Sequence, residues 1–217
     1  GGLRLRQENP LKKIPVTAED GKDLGAVSVS VVTGGGPAAV VIAHGAGGNM
    51  DTPSLKGLQD RLASSGVSAV RFNFLYREKG GRAPDRMPRL QQCFTSVVRK
   101  VRGEVEPKKI VIGGRSMGGR VASMLAAEGF ACDGLFLLAY PLHPAGRPER
   151  LRDSHLPQIK LPVLCINGTR DALCQKDLMT RAIDGLGWQM QWLEGKDHSF
   201  PVTAEVGNLA ERWLAGL

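Results

Sequence analysis

No stretch of the 217 residues approaches the roughly 18 consecutive apolar residues of a membrane-crossing helix. The opening Gly1–Lys13 is polar and basic where a secretory leader would carry an apolar core, so a soluble protein is expected. Cysteine is scarce: Cys93, Cys132, Cys165 and Cys174 are the only four, and no two are spaced C-x-x-C. That spacing excludes a disulfide scaffold and a zinc ribbon, and it points to a reducing, cytoplasmic setting with no bound metal. Aromatic residues make up 5% of the chain, too few to interleave with its basic residues as a single-strand-binding surface would. The formal charge of +8 therefore names no partner, and no nucleic acid or membrane is expected. Internal repeats and low-complexity tracts are also absent. Gly45–Met50 fails G-x-G-x-x-G at its last position, and Gly113–Arg120 lacks the lysine and hydroxyl of a P-loop, so no nucleotide cofactor is expected.

What remains is an alternation of short apolar runs and helical patterns. Residues 14–16 and 26–32 read as an opening hairpin around Glu19-Asp20-Gly21. The runs at 38–43, 67–75, 109–112, 134–140, 162–167 and 189–193 read as strands. Between them, 53–65, 90–101, 117–128, 173–186 and 204–217 read as helices, with Thr52 a candidate cap for the first. Ala38–Ala43 is apolar at every position, as a strand buried on both faces requires. The pattern predicts one α/β domain over residues 1–217, a doubly wound, mostly parallel sheet. The connection after residue 140 is too short to hold a cap domain. In such a sheet ligands sit at the carboxyl ends of the strands, so chemistry is sought just after each strand.

Ile110–Ala122 reads IVIGGRSMGGRVA, and its centre, Gly114-Arg115-Ser116-Met117-Gly118, is a G-x-S-x-G sequence in strand-turn-helix context. The small residues let neighbouring backbone pass while a sharp turn lifts the serine hydroxyl clear of the sheet. Ser116, Asp171 and His198 each follow a strand, in the order Ser, Asp, His. A serine hydroxyl needs an imidazole to take its proton, and the imidazole needs a carboxylate to fix its tautomer. The alternatives are Asp171 as a helix cap, His198 as a solvated loop residue, and Asp197 as the carboxylate. His44 is assigned a bracing role in the loop Gly45–Gly48. The backbone N–H groups of Ala46, or of Gly47 in its place, and of Met117 are the candidate oxyanion hole.

The chain resembles an α/β-hydrolase of the small dienelactone-hydrolase-like group. It resembles in particular the hydrolase-like family of the testis-expressed proteins and a subunit of the non-specific-lethal histone acetyltransferase complex. The resemblance is carried by His44-Gly45-Ala46-Gly47-Gly48, Gly113–Gly118, Tyr140–Pro144 with Glu149–Arg152, Gly168–Asp171 and Asp197–Phe200. It implies the α/β-hydrolase fold and the triad Ser116, Asp171 and His198. True dienelactone hydrolases place a cysteine where Ser116 stands. The expectation is a serine hydrolase of carboxylic esters that works through an acyl-enzyme without cofactor. The alternative is a hydrolase fold kept as a protein-interaction module.

Charge adds a substrate class. Residues 76–90 carry five basic and two acidic side chains, and 143–160 carry four and two. Both connections leave the carboxyl ends of strands. With Arg115 they would set a positive field around Ser116, favouring small anionic esters. Arg77, Arg82, Arg147 and Arg150, with His143 at a strand exit, are the candidate substrate contacts.

Overall fold

The computed structural model of the chain describes residues 11–217. Most of the polar opening Gly1–Lys13 lies outside them. The elements are β1 (Lys12–Thr17), β2 (Asp23–Val32), β3 (Ala38–Ala43), α1 (Pro53–Ser64), β4 (Ser68–Phe72), α2 (Leu75–Glu78), α3 (Met87–Val105), β5 (Lys109–Arg115), α4 (Met117–Ala127), β6 (Gly134–Leu138), β7 (Val163–Gly168), α5 (Lys176–Ala182), β8 (Gln189–Leu193) and α6 (Ala204–Ala215). The eight strands form one sheet in the order β1-β2-β4-β3-β5-β6-β7-β8. The β1–β2 and β2–β4 pairs are antiparallel, and every other pair is parallel. This is the expected single-domain α/β architecture. The connection between β6 and β7 holds no regular element beyond the 3-10 turn Leu156–Gln158, so no cap covers the sheet there.

Strand alternation divides the core. In β3, Ala39, Val41 and Ala43 face a layer packed by α3 and α4, including Phe94, Val97, Val121 and Leu125. Val40 and Ile42 face the layer of α1 and α6, with Leu55, Leu58, Leu62, Val206 and Trp213. Side chains of period two between helices on both faces explain why the central strands are continuous apolar runs.

Several boundaries differ from the sequence pattern. Helix α3 runs 19 residues, beyond the expected 90–101 at both ends, because Pro88 serves its first turn and the arginines lie on its wet face. Helix α5 has seven residues instead of fourteen: Asp171–Gln175 is drawn into loop hydrogen bonds, and Gly185 and Gly187 take positive φ. The strand read at 67–75 stops at Phe72, and Leu75 and Tyr76 turn inward in α2. Thr52 occupies the N-cap of α1, but its side chain makes no capping bond.

Candidate active site

The turn between β5 and α4 is built by close backbone packing. Parallel pairing of β3 with β5 sets Ala43 beside Gly114. A Cβ on either Gly114 or Gly118 would lie 2.5 Å from the Ala43 carbonyl oxygen, so only glycine fits at both flanks of the serine. Ser116 itself sits at φ 50°, ψ −119°, a strained conformation for a non-glycine residue, and its N–H bonds Leu138 O at 2.8 Å.

Ser116 Oγ lies 2.8 Å from His198 Nε2, and His198 Nδ1 lies 2.9 and 2.8 Å from the two oxygens of Asp171. The Asp171 carboxylate has no solvent exposure, while the His198 side chain is 25% exposed. Asp171 also accepts from Leu173 N–H at 2.8 Å and from Asn167 Nδ2 at 3.4 Å. With Nδ1–H donating to Asp171, Nε2 is free to accept the Ser116 proton. The loops after β7 and β8 are stitched together: Arg170 N–H bonds Lys196 O at 2.8 Å and Gly195 N–H bonds Thr169 Oγ1 at 2.8 Å. A Cβ on Gly168 would meet Lys196 O at 2.1 Å, so this glycine lets the two loops touch. Asp171 thus belongs to a side-chain chain and does not cap a helix. Asp197 is exposed and accepts from Ser199 N–H instead of from the ring.

The loop after β3 passes over the same point. A Cβ on Gly45 would come 3.5 Å from Ser116 Cβ, and the Tyr76 hydroxyl donates to Ala46 O at 2.8 Å. Burial raises the Tyr76 phenol to about 12, which keeps it a donor. The N–H groups of Ala46 and Met117 have no acceptor among the described residues. His44 donates through Nδ1 to Gly45 O at 2.8 Å and accepts from Phe74 N–H at 3.1 Å. Burial lowers its pKa to about 4, with Arg77 adding to the shift and the Gly45 bond opposing it, so the ring is a neutral brace.

His143 repeats this arrangement. It is 1% exposed; its Nδ1 donates to Pro144 O at 2.9 Å and its Nε2 accepts from Gln175 N–H at 3.0 Å. Both nitrogens are spent on backbone and the ring is buried, so in this structure His143 braces the 143–175 loops where the sequence suggested a substrate contact. Arg115 also departs from expectation. Its guanidinium bonds His198 O at 3.1 Å and Phe200 O at 2.6 Å and stacks 4.9 Å from the Phe200 ring, so it faces the protein and not the mouth.

Of the other arginines, Arg77 is half-buried, with Nη1 donating to Gly81 O at 3.2 Å, and its charge acts on both His44 and Tyr76. It follows Tyr76, whose hydroxyl holds the Ala46 carbonyl. Arg82, Arg147 and Arg150 are at least partly exposed, and their side chains contact no described residue by hydrogen bond or ion pair. The sequence reading missed Asn167, whose amide bonds Tyr140 N–H, Tyr140 O and Asp171. A lone polar residue ending an apolar strand run was the available signal. Cys174, three residues past Asp171, is buried and its thiol is pushed up to about 12 by burial, which favours the protonated form over the nucleophilic thiolate. All four cysteines are unpaired, no group of metal-ligating side chains occurs among the described residues, and none of their helices is long and apolar enough to cross a membrane.

Residues 36–216 match the family model described as an alpha/beta hydrolase domain. Among solved structures, the chain is similar to an esterase from Pyrococcus furiosus at TM-score 0.79 and 15% identity, covering 100% of this chain and 98% of that one. It is similar to an α/β serine hydrolase without lid from Xanthomonas campestris at TM-score 0.74 and 19% identity, covering 99% and 97%. A dienelactone hydrolase from Anabaena variabilis matches at TM-score 0.72 and 19% identity, covering 97% and 98%.

Proposed function

The chain belongs to the alpha/beta hydrolase domain family, and from that premise we propose that it is a serine hydrolase of small carboxylic esters. The observation that carries the reading is the line of hydrogen bonds from Ser116 Oγ through His198 to a buried Asp171, set on a strained turn. In the proposed reaction Ser116 Oγ attacks the ester carbonyl carbon while its proton passes to His198 Nε2. The carbonyl oxygen becomes an oxyanion facing the N–H groups of Ala46 and Met117. Collapse breaks the bond to the leaving alkoxide, which takes the proton from His198. Water then repeats the sequence on the acyl-enzyme, and Asp171 stabilises the imidazolium in each half. The roles are filled by protein groups alone, so no cofactor or metal enters.

Arg77, next to Tyr76 in the chain, with Arg82, Arg147 and Arg150 on the surrounding connections, supports an anionic ester as substrate. A reducing, cytoplasmic location fits four unpaired cysteines. We also place the chain near the testis-expressed proteins and the non-specific-lethal complex subunit, on the motifs from His44–Gly48 to Asp197–Phe200.

The test is labelling by a fluorophosphonate probe, run beside turnover of matched neutral and carboxylate-bearing short-chain esters over a salt series. Ser116→Ala and His198→Ala should each lower turnover by about 10³-fold or more and abolish labelling. Asp171→Asn should cost about 10³- to 10⁴-fold, because its amide nitrogen would face the donors of Leu173, Asn167 or His198. Anionic esters should gain in kcat/KM, and added salt should shrink that gain. Folded wild-type protein inert to probe and esters, yet holding a stable protein partner that survives Ser116→Ala, would replace this reading with an interaction module.

A further inference from the structure

The segment that carries His198 has no regular structure of its own: it runs from the end of β8 at Leu193 to the start of α6 at Ala204. Its first residues are held to the neighbouring loop through Lys196 O and Gly195 N–H. Beyond Lys196, Ser199 N–H bonds only the nearby Asp197. Among the described residues, the backbone of 197–202 is tied to the rest of the fold by a single side chain, Arg115. The His198 and Phe200 carbonyls lie two residues apart, and one Nη2 group bridges both, at 3.1 and 2.6 Å. The same guanidinium reaches Ser54 Oγ through Nη1 at 3.4 Å and stacks on the buried Phe200 ring at 4.9 Å. No carboxylate lies within ion-pair distance of it among the described residues. Asp171 and Asp197 act on it only at longer range. A planar, weakly hydrated cation suits this position, since it can satisfy several carbonyls while lying flat on an aromatic face.

We infer that Arg115 is a positioning residue, which holds the His198 ring in hydrogen-bond reach of Ser116 by clamping the carbonyls of His198 and Phe200. The inference rests on the serine-hydrolase reading. The residue adjacent to Ser116 in sequence thereby fixes the backbone of the base that serves it. Nucleophile and base are then referenced to the same end of β5.

Arg115→Ala, Arg115→Gln and Arg115→Lys are compared with wild type by ester kinetics, probe labelling rate and hydrogen exchange. A base displaced by about 1 Å costs on the order of 10²-fold. Arg115→Ala and Arg115→Gln should therefore lower kcat and labelling by about 10- to 100-fold with KM within about twofold. Arg115→Lys, which restores one charged donor, should recover part of the loss. Exchange should quicken in 194–203 and stay unchanged in α4. Should the alanine variant not fold, the glutamine variant carries the comparison. Wild-type kcat in the variants, or a loss that lysine does not lessen, overturns the inference. If wild-type protein neither labels nor turns over ester, the hydrolase reading fails and exchange alone judges the clamp. Unchanged exchange across 194–203 then overturns it, and acceleration confined to that loop upholds it.

Discussion

Ser116 occupies a backbone conformation that glycine adopts more cheaply than any residue with a Cβ. The chain therefore carries a stability cost at this position, where the half-buried hydroxyl is set 2.8 Å from His198 Nε2. Ser116→Gly and Ser116→Ala should both be inactive, yet the glycine variant should be more stable than the alanine variant by about 1 kcal/mol, read from urea midpoints. Equal stabilities would mean that the turn relaxes when the hydroxyl is gone. Ser116, Asp171 and His198 could be picked from the sequence because each is a polar group at the exit of an apolar run. The bracing role of His143 could not. Its chain position resembles that of a substrate contact, and only the arrival of Gln175 from 32 residues away occupies its second nitrogen. The clamping role of Arg115, read from the sequence as part of a positive field around Ser116, was hidden for the same reason: its partners lie 83 and 85 residues downstream.

Among the elements, the strands were the most legible, since burial on both faces leaves no polar position to blur a run such as Ala38–Ala43. Helix ends were the least legible, because local pattern competes there with loop bonds made at long range, as in α5. The β3–β5–α4 junction is set by glycine more than by any periodicity. Gly118→Ala would place a Cβ 2.5 Å from Ala43 O and 2.6 Å from His44 O, both backbone atoms that cannot give way without moving β3. We expect a loss of at least about 2 kcal/mol in chemical denaturation, together with reduced probe labelling. Gly57→Ala, on the exposed face of α1 with nothing near its Cβ, is the control and should be neutral or slightly stabilising. Similar effects from both substitutions would show that close packing at Gly118 is not what holds the turn.

The whole molecule inherits a pH dependence from its braces. His44 titrates at about 4 when folded, chiefly because it is buried, against an ordinary value of 6.5. Between those two pH values the unfolded chain takes up a proton that the folded one refuses, so stability is complete above 6.5 and declines as pH falls toward 4. His44 alone contributes on the order of 3 kcal/mol to that decline. His155, also lowered to about 4 by burial but partly exposed, adds a smaller share. Glu78 is held down to about 2 by bonds from Lys13, Asn73 and Ser28, which outweigh the opposing effect of burial, and its support fades in the lower window, from about 4.5 to 2. Urea midpoints from pH 7 to 4.5 should therefore slope downward below 6.5, and His44→Asn should flatten that slope even if the variant is weaker at pH 7. An unchanged slope would remove His44 as its source.

The bare connection between β6 and β7 bears on time as well as shape. That connection holds only the 3-10 turn Leu156–Gln158, so under the proposed hydrolase reading no inserted element there would have to open or close around a substrate at Ser116. Closure is also how hinged enzymes withhold reactivity until the right guest has arrived. Under that reading, choice among substrates would fall to fixed groups, the proposed arginine contacts and the N–H groups of Ala46 and Met117.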